Sequence, residues 1–315
     1  MPAIISKAPG KTILFGEHAV VYGFPAIAVP IISIQTKVSI LPIINSGNSL
    51  IRFRNPSWKE DIFFENLKSN NPVRVVVENI SKLIESRIPN FEMTISSSIP
   101  ISAGLGSSAA LAVSISKGFS QFLGINLSLE EINDLAFKSE IVQHGSPSGI
   151  DNSVITFSCP IFYISGQSIT QISISKPVHL ILADSGKRSL TKDIVKSVRE
   201  KWGTAPANIK PIFEEIGGIA HKARAALKNG NIQLIGSLMT QNHHALQKLD
   251  VSLPELDRLV KTALLHGASG AKLCGAGKGG YMVSAGTLEN IESIKDGLLS
   301  AGASNIITTT IDPTE

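Results

Sequence analysis

The sequence predicts an α+β chain in two domains, 1–175 and 176–315. Three observations carry that expectation. A length of 315 residues is about two domains' worth of chain; the opening is rich in β-branched and aliphatic runs; and the second part is dominated by apolar residues recurring at helical spacing. Hydrophobic residues at 43% against 17% charged, with no internal repeat, exclude a disordered or fibrous chain.

Over 11–44 the runs 12–15, 26–29 and 34–41 favour strands, punctuated by Gly16, Gly23, Pro25 and Pro30. Asn71 then reads as an N-cap with Pro72 at the first helical position. Val73, Val76, Val77, Ile80, Leu83 and Ile84 follow at helical spacing, although the valines leave a strand open as the alternative. Phe91, Met93 and Ile95 alternate with polar neighbours, which predicts a strand running into the loop 96–106. An Ala-rich helix over 107–123 stops at Gly124, and Ser128 with Glu131 forms a capping box opening a second helix that reaches about 144. Pro147, Gly149 and the β-branched run 154–157 predict a loop leading into another strand. Beyond about 165, polar turns give way to an apolar strand over 178–183. Helices are expected over 190–202, 205–228, 232–249 and 254–266, with Gly267 as the last C-cap. The chain closes with a strand over 281–285, a helix over 288–299 and a strand over 306–311.

Several function classes fall away early. The longest apolar stretch, 25–32, is far short of the roughly 20 residues that span a bilayer. The N-terminus has no basic region followed by an apolar stretch and a cleavage site. A cytoplasmic protein with no membrane partner is therefore expected. Cys159 and Cys274 lack metal-binding spacing and are expected to be buried or half-buried thiols. The net charge of +4 suits an anionic ligand without identifying one. Aromatic residues at 5% are too sparse for a surface that stacks nucleic-acid bases, so no nucleic-acid partner is expected.

Four segments could carry chemistry. Gly104-Leu105-Gly106-Ser107-Ser108-Ala109-Ala110 lies between an expected strand and an expected helix, where glycines admit a close ligand and the first helical N–H groups attract a phosphate. It is not a Walker A loop, since no Gly-Lys-Ser/Thr completes it. A tight turn at a helix start is the alternative. Gly275-Ala276-Gly277-Lys278-Gly279-Gly280 formally matches a dinucleotide fingerprint but lies too near the C-terminus for that unit, and a tight hairpin competes with a ligand turn. Lys11, Glu17 and His18 interrupt an apolar, strand-forming neighbourhood and would need partners if buried; a polar ligand or a solvated strand edge could supply them. Glu140, late in a helix, and Asp151, in an expected loop leading to a strand, could meet one site as a Mg²⁺ ligand and a base or hydroxyl-orienting group. The basic run at Lys187, Arg188, Lys192, Lys196, Arg199 and Lys201 reads as a solvated helix face. His243 and His244, adjacent on a helix, point apart and do not share a metal.

Taken together, these segments resemble the family of galactokinase, homoserine kinase, mevalonate kinase and phosphomevalonate kinase. Its three motifs appear in order, at Pro9-Gly10-Lys11, at Pro100-Ile101-Ser102-Ala103-Gly104-Leu105-Gly106-Ser107-Ser108-Ala109-Ala110, and at Lys272-Leu273-Cys274-Gly275-Ala276-Gly277-Lys278-Gly279-Gly280. Gly16-Glu17-His18-Ala19-Val20-Val21-Tyr22-Gly23 and His144-Gly145-Ser146-Pro147-Ser148-Gly149-Ile150-Asp151-Asn152 are most similar to the branch that acts on mevalonate. A galactokinase would show Gly-Glu-His-Thr-Asp at the first of these.

The resemblance implies an N-terminal domain like ribosomal protein S5 domain 2 and a C-terminal α+β domain with ferredoxin-like elements, with ATP held at their junction. It implies ATP- and Mg²⁺-dependent phosphorylation of the 5-hydroxyl of (R)-mevalonate in isoprenoid biosynthesis. It also implies roles. Pro100, Ser102, Ala103, Gly104, Leu105, Gly106, Ser107 and Ser108 would surround the triphosphate, with Ser108 and Glu140 on Mg²⁺. Asp151 would accept or orient the hydroxyl proton with Lys11 beside it, and Glu17, His18, Ser148, Thr191 and Gly277 would face the substrate. A kinase of phosphomevalonate or another alcohol, a diphosphomevalonate decarboxylase and a non-catalytic nucleotide-binding regulator are the alternatives; the regulator predicts loss of Lys11, Glu140 or Asp151, and all three are present. A homodimer is left open. Two residues depart from the family pattern. Lys278 stands where the run has glycine; if that position needs φ > 0, a lysine costs about 1 kcal/mol there, and the alternative is that it adds a cation near the phosphates. Cys274 stands for threonine or serine and removes a hydroxyl.

Overall fold

Two long strands, β1 (Ile4–Phe15) and β2 (Ala26–Pro42), form where the opening aliphatic runs were expected to be strands, and β2 continues through Pro30 instead of breaking there. Pro30 lies between the residues of β2 that pair with β6 (Ile161–Tyr163), namely Ala26, Ile27 and Ala28, and those from Thr36 onward that pair with β5 (Phe91–Ser97). A missing N–H is least disruptive between such pairing runs. The structure, a computed structural model, describes residues 3–43, 48–55, 58–84, 88–101, 103–145, 147–189 and 191–313. The chain divides into two compact units, Met1–Lys11 with Ile34–Ser158 and Thr12–Ser33 with Cys159–Glu315. The division falls earlier than the expected 175 and sends Thr12–Ser33 to the second unit. The reason is that β1 and β2 each run from one unit into the other, which leaves no shift of composition for a sequence reading to detect.

In the first unit β5 pairs antiparallel with β2, Thr36 opposite Ser97 and Pro42 opposite Phe91. Its other edge runs parallel to β3 (Leu50–Asn55), which pairs antiparallel with β4 (Trp58–Phe63). No strand was expected at β3 or β4. Their alternating charges satisfy one another across the strands: Arg52 reaches Glu92 at 3.2 Å and Arg54 reaches Asp61 at 2.5 Å. Four helices, α1 (Pro72–Ser81), α2 (Ser107–Phe122), α3 (Leu129–His144) and α4 (Ile150–Phe157), pack among themselves. The Asn71 side chain accepts the Val73 N–H at 3.0 Å, and both halves of the Ser128 and Glu131 capping box are made. The apolar faces of α1 and α2 close over Phe91, whose ring meets Phe119 edge-on at 5.1 Å.

α4 corrects the expected loop and strand after Pro147. Gly149 takes the left-handed conformation at its N-cap, and Ile150, Val154 and Ile155 recur at helical spacing and are buried. Packing against α2 and α3 outweighs the β-branched preference of the run.

In the second unit the first residues of β2 pair with β6, which pairs with β7 (Thr170–Gln171). A separate antiparallel sheet has the order β11 (Asn305–Ile311), β8 (Val178–Asp184), β10 (Tyr281–Gly286), β9 (Gly270–Leu273). Helices α5 (Thr191–Thr204), α6 (Pro206–Lys228), α7 (Ile232–Lys248) and α8 (Pro254–Leu265) connect β8 to β9, and α9 (Ile291–Ser300) connects β10 to β11. These helices follow the expected ones closely; β9 is too short to announce itself. Phe213, Ile216, Leu246, Leu256, Met282 and Leu298 are central to this unit's core, and Tyr22 stacks on Phe213 at 4.7 Å. Both cysteines are free thiols, Cys274 buried and Cys159 half-buried, as expected. Among the described residues, no helix is long and apolar enough to cross a membrane.

Candidate active site

In the first unit the Lys11 N–H donates to the Leu105 carbonyl at 3.0 Å, which ties β1 to the loop before α2. Gly106, at φ 78, is the N-cap of α2; a Cβ there would lie 2.7 Å from Lys11 Cγ and 2.8 Å from Ile155 Cδ1. Glycine is thus what lets the helix start, Lys11 and α4 approach one another. Among the described residues no side chain caps α2, so its first-turn amides and positive dipole end could receive an anion.

Lys11 Nζ lies 2.7 Å from Asp151 Oδ1, with the lysine side chain 6% exposed and the aspartate 35%. The cation is held inside while the carboxylate keeps an open side. Because α4 is a helix, Asp151 sits in its first turn, where the dipole also favours the negative charge. On the neighbouring helices the Ser108 hydroxyl donates to Glu140 Oε1 at 2.6 Å, and Glu140 is buried. Among the described residues no three His, Cys, Asp or Glu side chains gather as a metal cage. Two adjacent hard oxygen donors fit Mg²⁺, which commonly takes only one or two protein oxygens and completes its shell with water and phosphate. Ser102 lies outside the described residues; Pro100 and Ala103 are half-buried, Gly104 exposed and Leu105 buried. Ser148 is exposed just ahead of α4, its hydroxyl 3.4 Å from the Ile150 N–H.

In the second unit Glu17 is buried and ion-paired with Lys272, whose Nζ also donates to the Leu273 carbonyl at 2.6 Å. The Asn242 amide reaches the other Glu17 oxygen at 3.5 Å. Lys272 and Asn242 are the participants that sequence reasoning missed. A signal existed: Glu17 needed a buried partner, and Lys272 is the one charge in the short apolar β9. His18, at φ 63, donates its Nε2–H to the Ala276 carbonyl at 2.9 Å, which leaves Nδ1 as an acceptor. Burial holds its pKa below the usual histidine value against the pull of that carbonyl, and the Lys272 charge adds to the lowering.

The glycine turn 275–280 joins β9 to β10, with positive φ at Gly275, Gly277, Lys278, Gly279 and Gly280. The Ser189 hydroxyl donates to the Gly277 carbonyl at 3.1 Å, and Thr191 is exposed at the start of α5. The Cys274 thiol donates to the Tyr281 carbonyl at 3.3 Å, so the replaced hydroxyl leaves a hydrogen bond in place. The basic run pairs along its own surface, Lys187 with Glu255 and Arg188 with Asp184. His243 is buried with Nδ1 accepting the Leu273 N–H.

Two family models match this chain, "GHMP kinases N terminal domain" over residues 71–159 and "GHMP kinases C terminal" over 223–304. The chain belongs to the GHMP kinases. A mevalonate kinase of Pyrococcus furiosus is 36% identical to it over 296 residues, 89% of this chain and 88% of that protein. Among solved structures, this kinase is similar to L. major mevalonate kinase in complex with R-mevalonate, at TM-score 0.85 and 28% identity, covering 100% of this chain and 97% of the other. It is also similar to Methanococcus jannaschii mevalonate kinase, at TM-score 0.84 and 27% identity, covering 100% and 99%.

Proposed function

We propose that this kinase transfers the γ-phosphoryl group of ATP to the 5-hydroxyl of (R)-mevalonate, a step of isoprenoid biosynthesis. The Lys11 and Asp151 pair at 2.7 Å, set against the uncapped start of α2, carries the reading of phosphoryl transfer. The identity to mevalonate kinases supports the choice of substrate. We also read the second unit, strand, helices, two strands, helix and strand in the order β11, β8, β10, β9, as ferredoxin-like, and the first as like ribosomal protein S5 domain 2.

Phosphoryl transfer asks a protein to place the attacking oxygen in line and to balance charge on the transferred group. The loop 103–106 and the first-turn amides of α2 bind the phosphates, and buried Lys11 supplies a fixed positive charge. Asp151 accepts a hydrogen bond from the substrate hydroxyl and takes its proton as the new O–P bond forms and the bond from the γ-phosphorus to the departing ADP oxygen breaks. Ser108 and Glu140 would hold Mg²⁺, which would supply positive charge to the phosphate oxygens. Ser148, Glu17, His18, Thr191 and Gly277 are the substrate contacts that the resemblance implies; of these, His18 keeps an Nδ1 lone pair, because its Nε2–H donates to the Ala276 carbonyl.

Purified protein with ATP, Mg²⁺ and a panel of mevalonate, phosphomevalonate, homoserine and galactose is expected to yield ADP and 5-phosphomevalonate from the first alone. Turnover of another alcohol without turnover of mevalonate overturns the substrate assignment.

A further inference from the structure

Lys278 occupies a glycine-like backbone position, φ 51, in the middle of the 275–280 turn. Its ammonium lies 3.1 Å from Asp250 Oδ1, in the loop between α7 and α8, and Asp250 is itself at φ 59. Two non-glycine residues in left-handed conformations, 28 positions apart in sequence, therefore face each other. The same two segments are joined through the backbone: the Lys278 N–H donates to the Val251 carbonyl at 2.7 Å. Gly277 approaches so closely that a Cβ would lie 2.0 Å from that carbonyl oxygen. The second Asp250 oxygen takes Lys201 of α5 at 3.3 Å, and Lys201 also donates to the Leu249 carbonyl at 2.9 Å. Asp250 thus connects the turn to α5, the helix that begins at Thr191.

We propose that Lys278 and Asp250 form a salt-sensitive clasp that seats the glycine turn on the α7–α8 loop, which makes Lys278 a positioning residue for phosphoryl transfer and not a phosphate ligand. Its role in the reaction rests on the proposed function; the clasp itself does not. The side chain that departs from the glycine pattern is directed along the protein surface to a carboxylate, and Asp250, flanked by two lysines, is held below the usual carboxylate pKa chiefly by Lys278. The pair is open to water, with the Lys278 side chain 37% and the Asp250 side chain 72% exposed, so salt should weaken it strongly.

The test compares wild type, Lys278→Met, Asp250→Asn and the double variant, by hydrogen exchange of the 275–280 amides and by steady-state kinetics, at low and high NaCl. A clasp predicts that each single variant speeds exchange of the turn about two- to five-fold, the range of an exposed ion pair, and that the double variant is no faster than either. High salt should bring wild type to the same rate. It also predicts that both single variants lower kcat by a similar factor with KM for ATP little changed, and that Lys278→Arg restores both readouts. If Lys278 instead binds phosphate, Lys278→Met raises KM for ATP, Asp250→Asn does not, and exchange without ATP is unmoved, which overturns the clasp. Exchange unaffected by either variant or by salt also overturns it. Absence of mevalonate turnover in wild type would strike the proposed function alone, because the exchange measurement needs no substrate.

Discussion

The two acidic side chains assigned to chemistry in the first unit differ in their surroundings. Glu140 is buried against the Ser108 hydroxyl, whereas Asp151 is 35% exposed beside a buried Lys11. A carboxylate with one side held by a lysine and the other open can meet a hydroxyl, and that distinction is why the proposed mechanism gives the proton to Asp151. Asp151→Asn keeps the shape and removes the charge. It is expected to lower kcat by about 10²- to 10⁴-fold, the usual size of a general-base contribution, while ATP affinity measured by calorimetry stays within about two-fold. A fall of less than ten-fold would remove Asp151 from that role. At this scale much was legible in the sequence: Lys11, Glu17 and His18 stood out as polar groups in an apolar stretch, and Lys11 and Glu17 have charged partners within their units. Which partner each one found was not legible, because Asp151 and Lys272 are far from them along the chain.

Among the elements, α7, α8 and β9 meet at one side chain. His243 of α7 accepts the Leu273 N–H of β9 on Nδ1 at 3.3 Å and places Nε2 3.1 Å from Asp257 of α8. Burial drives its pKa down to about 4, although Asp257 opposes the shift. Protons therefore bind the unfolded chain, near the ordinary value of 6.5, before they bind the folded one. The stability that neutral His243 contributes is complete above pH 6.5 and is lost as pH falls from 6.5 toward about 4. By pH 5 the loss is about 2 kcal/mol, and His18, shifted in the same direction, adds to it. Urea unfolding at pH 7.5 and pH 5 should show this difference in wild type, and a difference smaller by about 2 kcal/mol in His243→Gln; equal pH dependence in the two proteins would refute it. Element types were readable where capping and periodicity agreed, as at Asn71 and at Ser128 with Glu131. They were misread where tertiary contacts decided, as in α4, whose β-branched residues are helical because three of them face a packed neighbour. They were invisible in β3 and β4, whose stabilising pairs are charged.

For the whole molecule, the division into units was legible in number but not in position, since Thr12–Ser33 belongs with residues that begin at Cys159. That segment is tied into its unit by the buried pair of Glu17 and Lys272, two charges joined across almost the full sequence. Neither side chain has water to fall back on, with Glu17 1% and Lys272 0% exposed. Removing one partner leaves an uncompensated charge in the core, which costs about 3–5 kcal/mol, whereas replacing both by apolar groups removes the desolvation penalty along with the attraction. Glu17→Leu and Lys272→Met are therefore each expected to destabilise the protein by about that amount in urea unfolding, and the double variant by far less than the sum. Additive losses would show that the two charges act independently. The double variant also separates folding from function. It removes the carboxylate proposed as a substrate contact without leaving a buried charge unpaired, so a stable double variant should show a raised KM for mevalonate with ATP binding intact.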